Sequence, residues 1–326
     1  GYDFWIGPVW ASVMFGVPQK LYDYYGDTRP IEKMWPVCEK YLNYLKRREN
    51  ADKTVTYGIG DWVAYKTITP TDYTTTCFYY FDNKTMARFA RILGKDATPY
   101  EQKAEYLQKL IMQKYFDPAR GVFSNGSQAA QGVALYLGIV PDEQAQRVAD
   151  NLSRMIAENG DALDCGMLGS KTILRVLCDY GHADQAYRLA SRIESPSWGS
   201  WIKRGLTTLP ETWVLSPAFR DASLNHIFLG DVQAWMYQYL AGIMYDTQCP
   251  GFKHVLLQPR FVKGLDGAKA EYNSPAGLIK SAWKRKGNSI ILDVELPANT
   301  SATLITDGKK QELTGGHHRI KLAAGK

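Results

Sequence analysis

Residues 137–182 read LGIVPDEQAQRVADNLSRMIAENGDALDCGMLGSKTILRVLCDYGH, and this stretch decides the fold. Glycine in the left-handed conformation often ends a helix, and Gly138 and Gly181 stand near the two ends of the stretch. Between them we expect helices at about 141–158 and 168–179, which make one helical hairpin. The first of these helices repeats apolar side chains at helical spacing, at Ala145, Val148, Leu152 and Met155.

The same glycine stop occurs once more toward the N-terminus, at Gly94, so the three glycines are separated by 44 and 43 residues. A period of that size indicates stacked helix pairs, either as an open solenoid or as a closed α/α toroid. Open repeat arrays usually keep their loops short, whereas long connections interrupt these pairs. The long connections favour a toroid whose loops line one central site. The connections are residues 55–72, 117–128, 159–166 and 194–230.

Further apolar stripes extend the helical pattern over the first three quarters of the chain. They predict about nine helices, at residues 11–25, 31–48, 72–93, 99–115, 128–137, 141–158, 168–179, 182–193 and 231–244. The last helix rests on a stripe of Met236, Leu240 and Ile243. A ring of six hairpins needs twelve helices, and the chain opens with GYDFWIGPVW, without Met or a signal peptide. We therefore expect a longer precursor that carries the first helices of the toroid upstream of Gly1.

The pattern changes at Pro250 and Gly251, after which strands are expected. Beyond this point apolar residues recur with a period of two, which is typical of strands that are buried on one face. We predict a helical catalytic domain over residues 1–249 and a small antiparallel β-sandwich over residues 250–326. The segments that carry the strand pattern are 277–283, 290–296, 302–304 and 319–322.

Composition and charge exclude several classes of protein. With 45% hydrophobic and 22% charged residues, the chain of 326 residues has the composition of a globular protein. Its formal charge of +6 is dispersed, which argues against nucleic-acid binding, and no apolar run reaches the length of about 18 residues that a membrane span needs. The five cysteines fall mostly in apolar helical patterns, which indicates small buried side chains and no disulfide framework or metal site.

One acidic side chain, Glu211, lies in a long connection where regular packing does not require it. Residues 205–235 read GLTTLPETWVLSPAFRDASLNHIFLGDVQAW, with Trp213 two positions after the glutamate and with Asn225 and His226 near the end of the connection. A carboxylate, an imidazole, an amide and indoles are side chains that bind sugar hydroxyls and activate water. The alternative is a surface loop with an incidental glutamate.

Two other connections carry polar and aromatic side chains. The sequence GIGDW at residues 58–62 allows a tight turn at its glycines and presents Asp61 and Trp62, although a packed turn would have the same pattern. The segment that contains Trp198 lies shortly before Glu211. The sequence GSQAAQ at residues 126–131 is expected to open a helix and not to contact a substrate.

Together and in this order, these features resemble the α-L-rhamnosidases of glycoside hydrolase family 78. Members of that family carry a Gly-Asp-Trp loop, a Ser-Gln-x-Ala-Gln helix start, a Pro-Ser-Trp-Gly segment, a Thr-Thr-x-x-Glu-x-Trp segment and an Asn-His pair. The tail from SPAG to LPANT is also similar to the family's C-terminal sandwich, so the resemblance spans nearly the whole chain. The matching segments are residues 60–62, 127–131, 196–199, 207–213 and 225–226, with the tail at 274–300.

The resemblance implies an (α/α)6 catalytic barrel followed by a β-sandwich, and an inverting hydrolysis of terminal α-L-rhamnosides. In such a mechanism one carboxylic acid protonates the departing oxygen, and a carboxylate about 6.5 to 9.5 Å away deprotonates water. Glu211 matches the family's general base. Asp61 is implied either to bind a sugar hydroxyl or to fix its loop. The other implied substrate-binding residues carry rings, and they are Trp10, Trp62, Trp198, Trp213 and His226.

This chain departs from the family pattern at three places. Pro210 stands where the family commonly has Trp before the base, and the sequence WAS at residues 10–12 replaces a Trp-Gly-Asp-Ala motif near the sugar. The acidic Asp-Glu-Arg motif that supplies the family's general acid is absent, and in the family it lies upstream of the position that matches Trp10. We therefore expect the acid on the upstream part of the precursor. Residues 1–326 alone should hydrolyse aryl α-L-rhamnosides negligibly.

Two alternatives stay open from the sequence. Polysaccharide lyases also join α/α toroids to β-sandwiches, and Tyr-rich loops with a positive charge permit that activity. A sugar-binding relative that kept the toroid and lost the chemistry is the non-catalytic alternative. No cofactor is implied and the sequence does not indicate calcium. The expected partners are a rhamnose-containing glycoside or polysaccharide and the upstream part of the precursor, in the periplasm or outside a bacterial cell.

Overall fold

The computed structural model describes residues 7–215 and 222–323. Each of the nine predicted helices is present, and most of their ends agree within two residues. The short helix α10 lies in what was predicted to be an irregular connection. The helices are α1 (Gly7–Trp10), α2 (Val13–Tyr25), α3 (Arg29–Arg47), α4 (Thr71–Ile92), α5 (Thr98–Tyr115), α6 (Gln128–Tyr136), α7 (Asp142–Glu158), α8 (Met167–Asp179), α9 (Ala183–Ser191), α10 (Trp198–Lys203) and α11 (Val232–Trp235), which continues as a π-helical turn over Met236–Leu240.

The chain divides into two compact units. The first comprises Gly1–Gly16 and Met34–Val232, and the second comprises Val17–Lys33 and Gln233–Lys326. In the first unit, α5 packs on α4, α7 on α6 and α9 on α8, while α6 contacts both α4 and α8. Helices α4, α6 and α8 are buried along most of their length, whereas α7 and α9 are apolar on one face. This double layer, with α4, α6 and α8 inside, is the arrangement of an α/α toroid.

The two kinds of connection lie at opposite ends of the inner helices. Short connections follow α4, α6 and α8, and each begins at a glycine with a positive φ, at Gly94, Gly138 and Gly181. The predicted helix stops are therefore confirmed. Long connections instead precede α4, α6 and α8, and one of them contains the two-stranded hairpin of β1 (Phe116–Asp117) and β2 (Val122–Phe123). The N-terminal ends of the inner helices consequently share the elaborate loops.

The second unit contains a β-sandwich, as predicted. One sheet has the order β10-β7-β6-β5 and the other has the order β3-β4-β8-β9. Inward side chains of both sheets form one core, with Trp283 and Leu292 from the first sheet and Val255 and Leu304 from the second. The strands are β3 (Ile243–Tyr245), β4 (His254–Leu257), β5 (Gly267–Ser274), β6 (Gly277–Lys286), β7 (Ser289–Leu296), β8 (Ser301–Thr306), β9 (Lys309–Leu313) and β10 (Gly316–Ala323).

Two details of the prediction are wrong. The last helix was predicted to include Ile243, but it ends at Leu240. It ends there because Gly242 takes a φ of 81° and a Cβ at Gly242 would lie 2.2 Å from the backbone nitrogen of Pro259. Ile243 instead begins β3, which pairs with β4. The sandwich is also not purely antiparallel, since β4 pairs with β8 in parallel after three strands have formed the other sheet.

The predicted burial of the cysteines is confirmed for all of them except Cys249. Four of them are buried, Cys249 is half-buried, and all five are free thiols. Within the described ranges, no group of three or more His, Cys, Asp or Glu side chains is arranged to hold a metal ion. None of the helices in the described part of the chain combines the length and apolar character that a membrane crossing requires.

Candidate active site

The loop that carries Glu211 is held as two paired arms. The backbone N–H of Glu211 donates to the carbonyl oxygen of Ser223 at 2.8 Å, and the N–H of His226 donates to the carbonyl oxygen of Leu209 at 2.7 Å. The Thr208 hydroxyl adds a bond of 2.6 Å to the carbonyl oxygen of Leu224. These bonds fix the backbone on both sides of the glutamate, so its side chain projects from an ordered segment.

Two N–H groups orient the Glu211 carboxylate. The indole Nε1 of Trp62 donates to Oε1 at 3.4 Å, and the backbone N–H of Ser223 donates to Oε2 at 3.1 Å. Glu211 is half-buried, and the Trp62 side chain is 37% exposed. The structure therefore brings together two predicted site residues that are 149 positions apart in the sequence. Each carboxylate oxygen keeps a lone pair for a further donor, such as a water molecule.

Asp61 attaches the Trp62 loop to the start of α8. Its Oδ2 accepts the backbone N–H of Gly166 at 2.7 Å, and its Oδ1 accepts those of Leu168 at 2.8 Å and Gly169 at 3.3 Å. The first N–H groups of a helix have no partner inside it, and the helix dipole favours a negative charge at that end. The carboxylate of Asp61 thus caps α8 from a distant part of the chain.

Asp61 was one of the predicted substrate-binding residues, and the structure favours the other role, that of fixing the loop. The residue is 6% exposed, and both of its carboxylate oxygens are engaged by backbone N–H groups. Burial raises the pKa of Asp61 to about 6, which the three N–H bonds oppose, and the charge of Asp164 raises it further. Because its oxygens accept N–H groups from the start of α8, Asp61 holds the Trp62 loop in place.

The same helix start also holds the segment after Glu211. The indole of Trp213 donates from Nε1 to the carbonyl oxygen of Cys165 at 2.9 Å, one residue before Gly166. On the other side, the backbone N–H of Met167 donates to the carbonyl oxygen of Trp62 at 3.0 Å. Residues 165–169 are therefore a junction that ties the Trp62 loop and the Glu211 loop to one rigid element.

Trp198 and Trp213, which were predicted to contact substrate, have little exposed ring surface in the described part of the chain. Trp213 is 2% exposed and Trp198 is 7% exposed, and their rings meet edge to face with centroids 5.1 Å apart. The Trp198 indole donates its N–H to the carbonyl oxygen of Leu229 at 2.7 Å. Buried rings whose N–H groups are bonded inside the protein stabilise the loop, because they add packing contacts and satisfied hydrogen bonds.

Trp10 and His226 come together through a residue that the sequence analysis missed. The ring of Phe228 lies edge to face with Trp10 at 4.7 Å and contacts the His226 ring at 3.4 Å between centroids. His226 Nδ1 accepts the backbone N–H of Phe228 at 3.3 Å, so a neutral imidazole carries its proton on Nε2. Nε1 of Trp10 is buried without a hydrogen-bond partner among the described residues. Phe228 lies two residues after the Asn-His pair, and this position was the one feature of the sequence that could have pointed to it as a neighbour of His226.

The Ser-Gln-x-Ala-Gln segment braces these loops from α6. Ser127 caps the helix by accepting the N–H of Ala130 at 3.2 Å, which confirms that the segment opens a helix. The Gln128 amide donates to the carbonyl oxygen of Ala162 at 3.1 Å and accepts the N–H of Asp164 at 2.9 Å. Asp164 in turn accepts the backbone N–H of Lys66 at 2.9 Å. The connections before α4 and α8 are thereby joined to the start of α6.

Comparison with known proteins agrees with this arrangement. The family model described as the bacterial alpha-L-rhamnosidase 6 hairpin glycosidase domain matches residues 3–240, and that of the bacterial alpha-L-rhamnosidase C-terminal domain matches residues 242–321. The helical unit with its loop-borne carboxylate is thus a glycosidase domain of the six-hairpin class, followed by a β-sandwich. More particularly, the chain belongs to the bacterial α-L-rhamnosidase family.

Individual relatives are similar over most of this chain. An alpha-L-rhamnosidase of Streptomyces avermitilis is 32% identical over 299 residues, which are 90% of this chain and 29% of the relative. The crystal structure of the Streptomyces avermitilis alpha-L-rhamnosidase complexed with L-rhamnose has a TM-score of 0.91 at 29% identity, covering 97% of this chain and 33% of that one. The alpha-L-rhamnosidase from Dictyoglumus thermophilum has a TM-score of 0.89 at 26% identity, covering 97% and 40%. The chain spans about a third of the length of these relatives.

Proposed function

We propose that this chain carries the general base of an inverting α-L-rhamnosidase, and that Glu211 is this base. The observation that supports the proposal is the carboxylate of Glu211, half-buried and oriented by the N–H groups of Trp62 and Ser223, in a chain of the α-L-rhamnosidase family. A base must hold a water molecule in one direction before it can take a proton from it. The two N–H bonds supply that fixed direction.

The rings near Glu211 suit a deoxy sugar. The partly exposed Trp62 offers an indole face to the methyl group and the apolar face of rhamnose. The Nε2–H of His226 can donate to a sugar hydroxyl, since Nδ1 is occupied by the Phe228 N–H. We therefore propose a terminal rhamnosyl group of a glycoside or polysaccharide as the substrate.

Inversion also needs a carboxylic acid about 6.5 to 9.5 Å from the base. The described hydrogen-bond partners of the Glu211 carboxylate are Trp62 and Ser223, and neither is an acid. Asp61 is unsuited to this task, because both of its oxygens already bond to backbone N–H groups at the start of α8. Because the relatives are about three times as long as this chain, we propose that a further segment of a longer protein supplies the acid.

The proposal is tested by Glu211→Gln in that longer protein, with an aryl α-L-rhamnoside as substrate. The amide keeps the shape of the side chain but cannot accept a proton from water. We expect the hydrolysis rate to fall by about 10² to 10⁴, with an unchanged thermal unfolding curve. Glu194→Gln is the matched control, because Glu194 is an exposed glutamate near the same connection, and it should leave the rate unchanged.

The stereochemistry of the first product checks the mechanism separately. Proton NMR during the first minutes should show β-L-rhamnose, since a single displacement inverts the α-linked carbon. If α-L-rhamnose comes first, Glu211 is not a base in an inverting mechanism. A rate in Glu211→Gln above a tenth of the wild-type rate would also reject the assignment. A longer protein that binds L-rhamnose but hydrolyses nothing, with or without Glu211, would establish the non-catalytic alternative.

A further inference from the structure

A shallow polar pocket that is widely open to solvent lies at the start of the connection that carries Trp62. Its volume is about 510 Å³, and it opens just after α3 ends at Arg47. Two arginines, a tyrosine and small polar side chains form most of its wall, which is unlike the aromatic and carboxylate surroundings of Glu211. The lining residues are Arg47, Arg48, Glu49, Asn50, Thr56 and Tyr57.

Arg48 is held in this pocket by two aromatic rings. Its guanidinium carbon lies 4.8 Å from the ring centroid of Tyr44 and 4.7 Å from that of Tyr57. The two rings meet nearly at a right angle, with centroids 6.1 Å apart. Contact with rings fixes the plane of a guanidinium and leaves its N–H edges available for an acceptor. Arg48 is therefore oriented before any ligand binds.

The acidic side chains nearby are already neutralised. The buried carboxylate of Glu49 pairs with Lys103 and with Lys53, and Asp52 pairs with Lys114. Among the described residues, Arg48 forms no ion pair and its side chain donates no hydrogen bond to a protein acceptor. A cation at the end of a helix is favoured by the helix dipole, but Arg47 in the last turn of α3 already serves that purpose. The pocket thus presents an uncompensated positive charge.

Polar groups for hydroxyls line the same pocket. The Asn50 amide donates to the hydroxyl oxygens of Thr54 at 3.0 Å and Thr56 at 2.7 Å. This leaves the hydroxyl hydrogen of Thr56 and the amide oxygen of Asn50 for a ligand. Tyr57, which lines the pocket, precedes Trp62 by five residues, and a chain of that length spans at most about 18 Å.

We propose that this pocket binds the carboxylate of an acidic sugar, a uronic acid residue, with Arg48 as the carboxylate ligand. A planar carboxylate matches the fork of a guanidinium, and the Thr56 hydroxyl and the Asn50 amide oxygen suit the hydroxyls of a sugar ring. The inference rests on the proposed function, because it makes the substrate of the Glu211 site a rhamnosylated acidic polysaccharide.

The test is a titration of the isotope-labelled chain with D-galacturonate, followed by NMR chemical shifts at constant ionic strength. D-galactose and inorganic phosphate serve as the neutral sugar and the simple oxoanion. We expect saturable shifts with D-galacturonate and at least tenfold weaker binding of the other two. Arg48→Gln should weaken D-galacturonate binding about tenfold or more, because it removes a charge-assisted bond.

Lys46→Gln is the matched control, since it removes one positive charge from the same helix end without lining the pocket. It should change the affinity less than twofold. Equal losses in the two variants, equal binding of phosphate, or no saturable shift with D-galacturonate would each overturn the proposal. Glu211→Gln should leave D-galacturonate binding unchanged, while binding of L-rhamnose reports separately on the Glu211 site, so the two proposals can fail independently.

Discussion

Replacing Gly166 by alanine should loosen the junction between the Trp62 loop and the start of α8. A Cβ atom at Gly166 would lie 2.1 Å from the carbonyl oxygen of Trp62 and 2.8 Å from both the carbonyl oxygen and Oδ1 of Asp61. These atoms belong to the backbone or to a carboxylate fixed by three N–H groups, so no flexible side chain can turn away. The loop has to move until the shortest contact grows from 2.1 Å to about 3.4 Å.

That movement breaks bonds whose energies set the size of the effect. The N–H of Met167 loses the carbonyl oxygen of Trp62, and the N–H of Gly166 loses the carboxylate of Asp61. A neutral hydrogen bond contributes about 0.5 to 1.5 kcal/mol and one to a charged group about 1.5 to 3 kcal/mol, so we expect Gly166→Ala to lower the free energy of unfolding by about 2 to 4 kcal/mol. Trp62 moves by about 1 Å relative to Glu211, which can cost about 100-fold in rate.

The assay is urea unfolding followed by circular dichroism, with Gly16→Ala as the matched control. A Cβ atom at Gly16 meets nothing within 4 Å, and the residue lies within α2. Alanine there should be neutral or should stabilise the protein by up to about 1 kcal/mol. L-rhamnose binding is measured for both variants by NMR titration, and it should weaken only in Gly166→Ala. Equal unfolding free energies for the two variants would refute the reasoning from close approach.

Two more predictions concern the same junction. Because burial raises the pKa of Asp61 from its ordinary value of 3.8 to about 6, the folded state holds this proton more tightly than the unfolded state. The contribution of the Asp61 proton to the free energy of unfolding, about 3 kcal/mol, is therefore full below pH 3.8 and is lost as the pH rises through 6. Urea unfolding should show this decline in the wild type and not in Asp61→Asn. Trp213→Phe leaves the carbonyl oxygen of Cys165 unpaired in the interior, which should cost about 1 to 3 kcal/mol, and an unchanged melting temperature would contradict this.

The helices were predictable because their signals are local. An apolar stripe and a terminal glycine act within a few turns of the chain, so α7 and the stops at Gly138 and Gly181 follow from short stretches of sequence. Prediction failed where a distant contact decided the outcome. The helix that contains Leu240 ends because Pro259 lies against Gly242. The sequence next to Leu240 does not predict this contact. Strand β9 has four exposed residues in a row and thus no alternation to read.

The candidate site divides in the same way. The motif around Glu211 could be recognised from the sequence, because its residue types and their order are written in one stretch. The hydrogen-bond partners of the Glu211 side chain could not be predicted. The indole of Trp62 lies 149 positions away in the sequence, and the Ser223 N–H belongs to the opposite arm of the loop. Sequence spacing likewise could not separate Trp62, which is partly exposed, from Trp213, which is buried.

The sequence by itself determined the class of fold and the position of the carboxylate, because periodicity and motifs are properties of neighbouring residues. Tertiary structure alone decided that the start of α8 contacts Asp61, Trp62 and Trp213, and therefore which of these side chains are buried and which are partly exposed. The physical reason is that unpaired N–H groups at a helix end and a glycine without a Cβ allow a close approach, and only the folded chain reveals what approaches them.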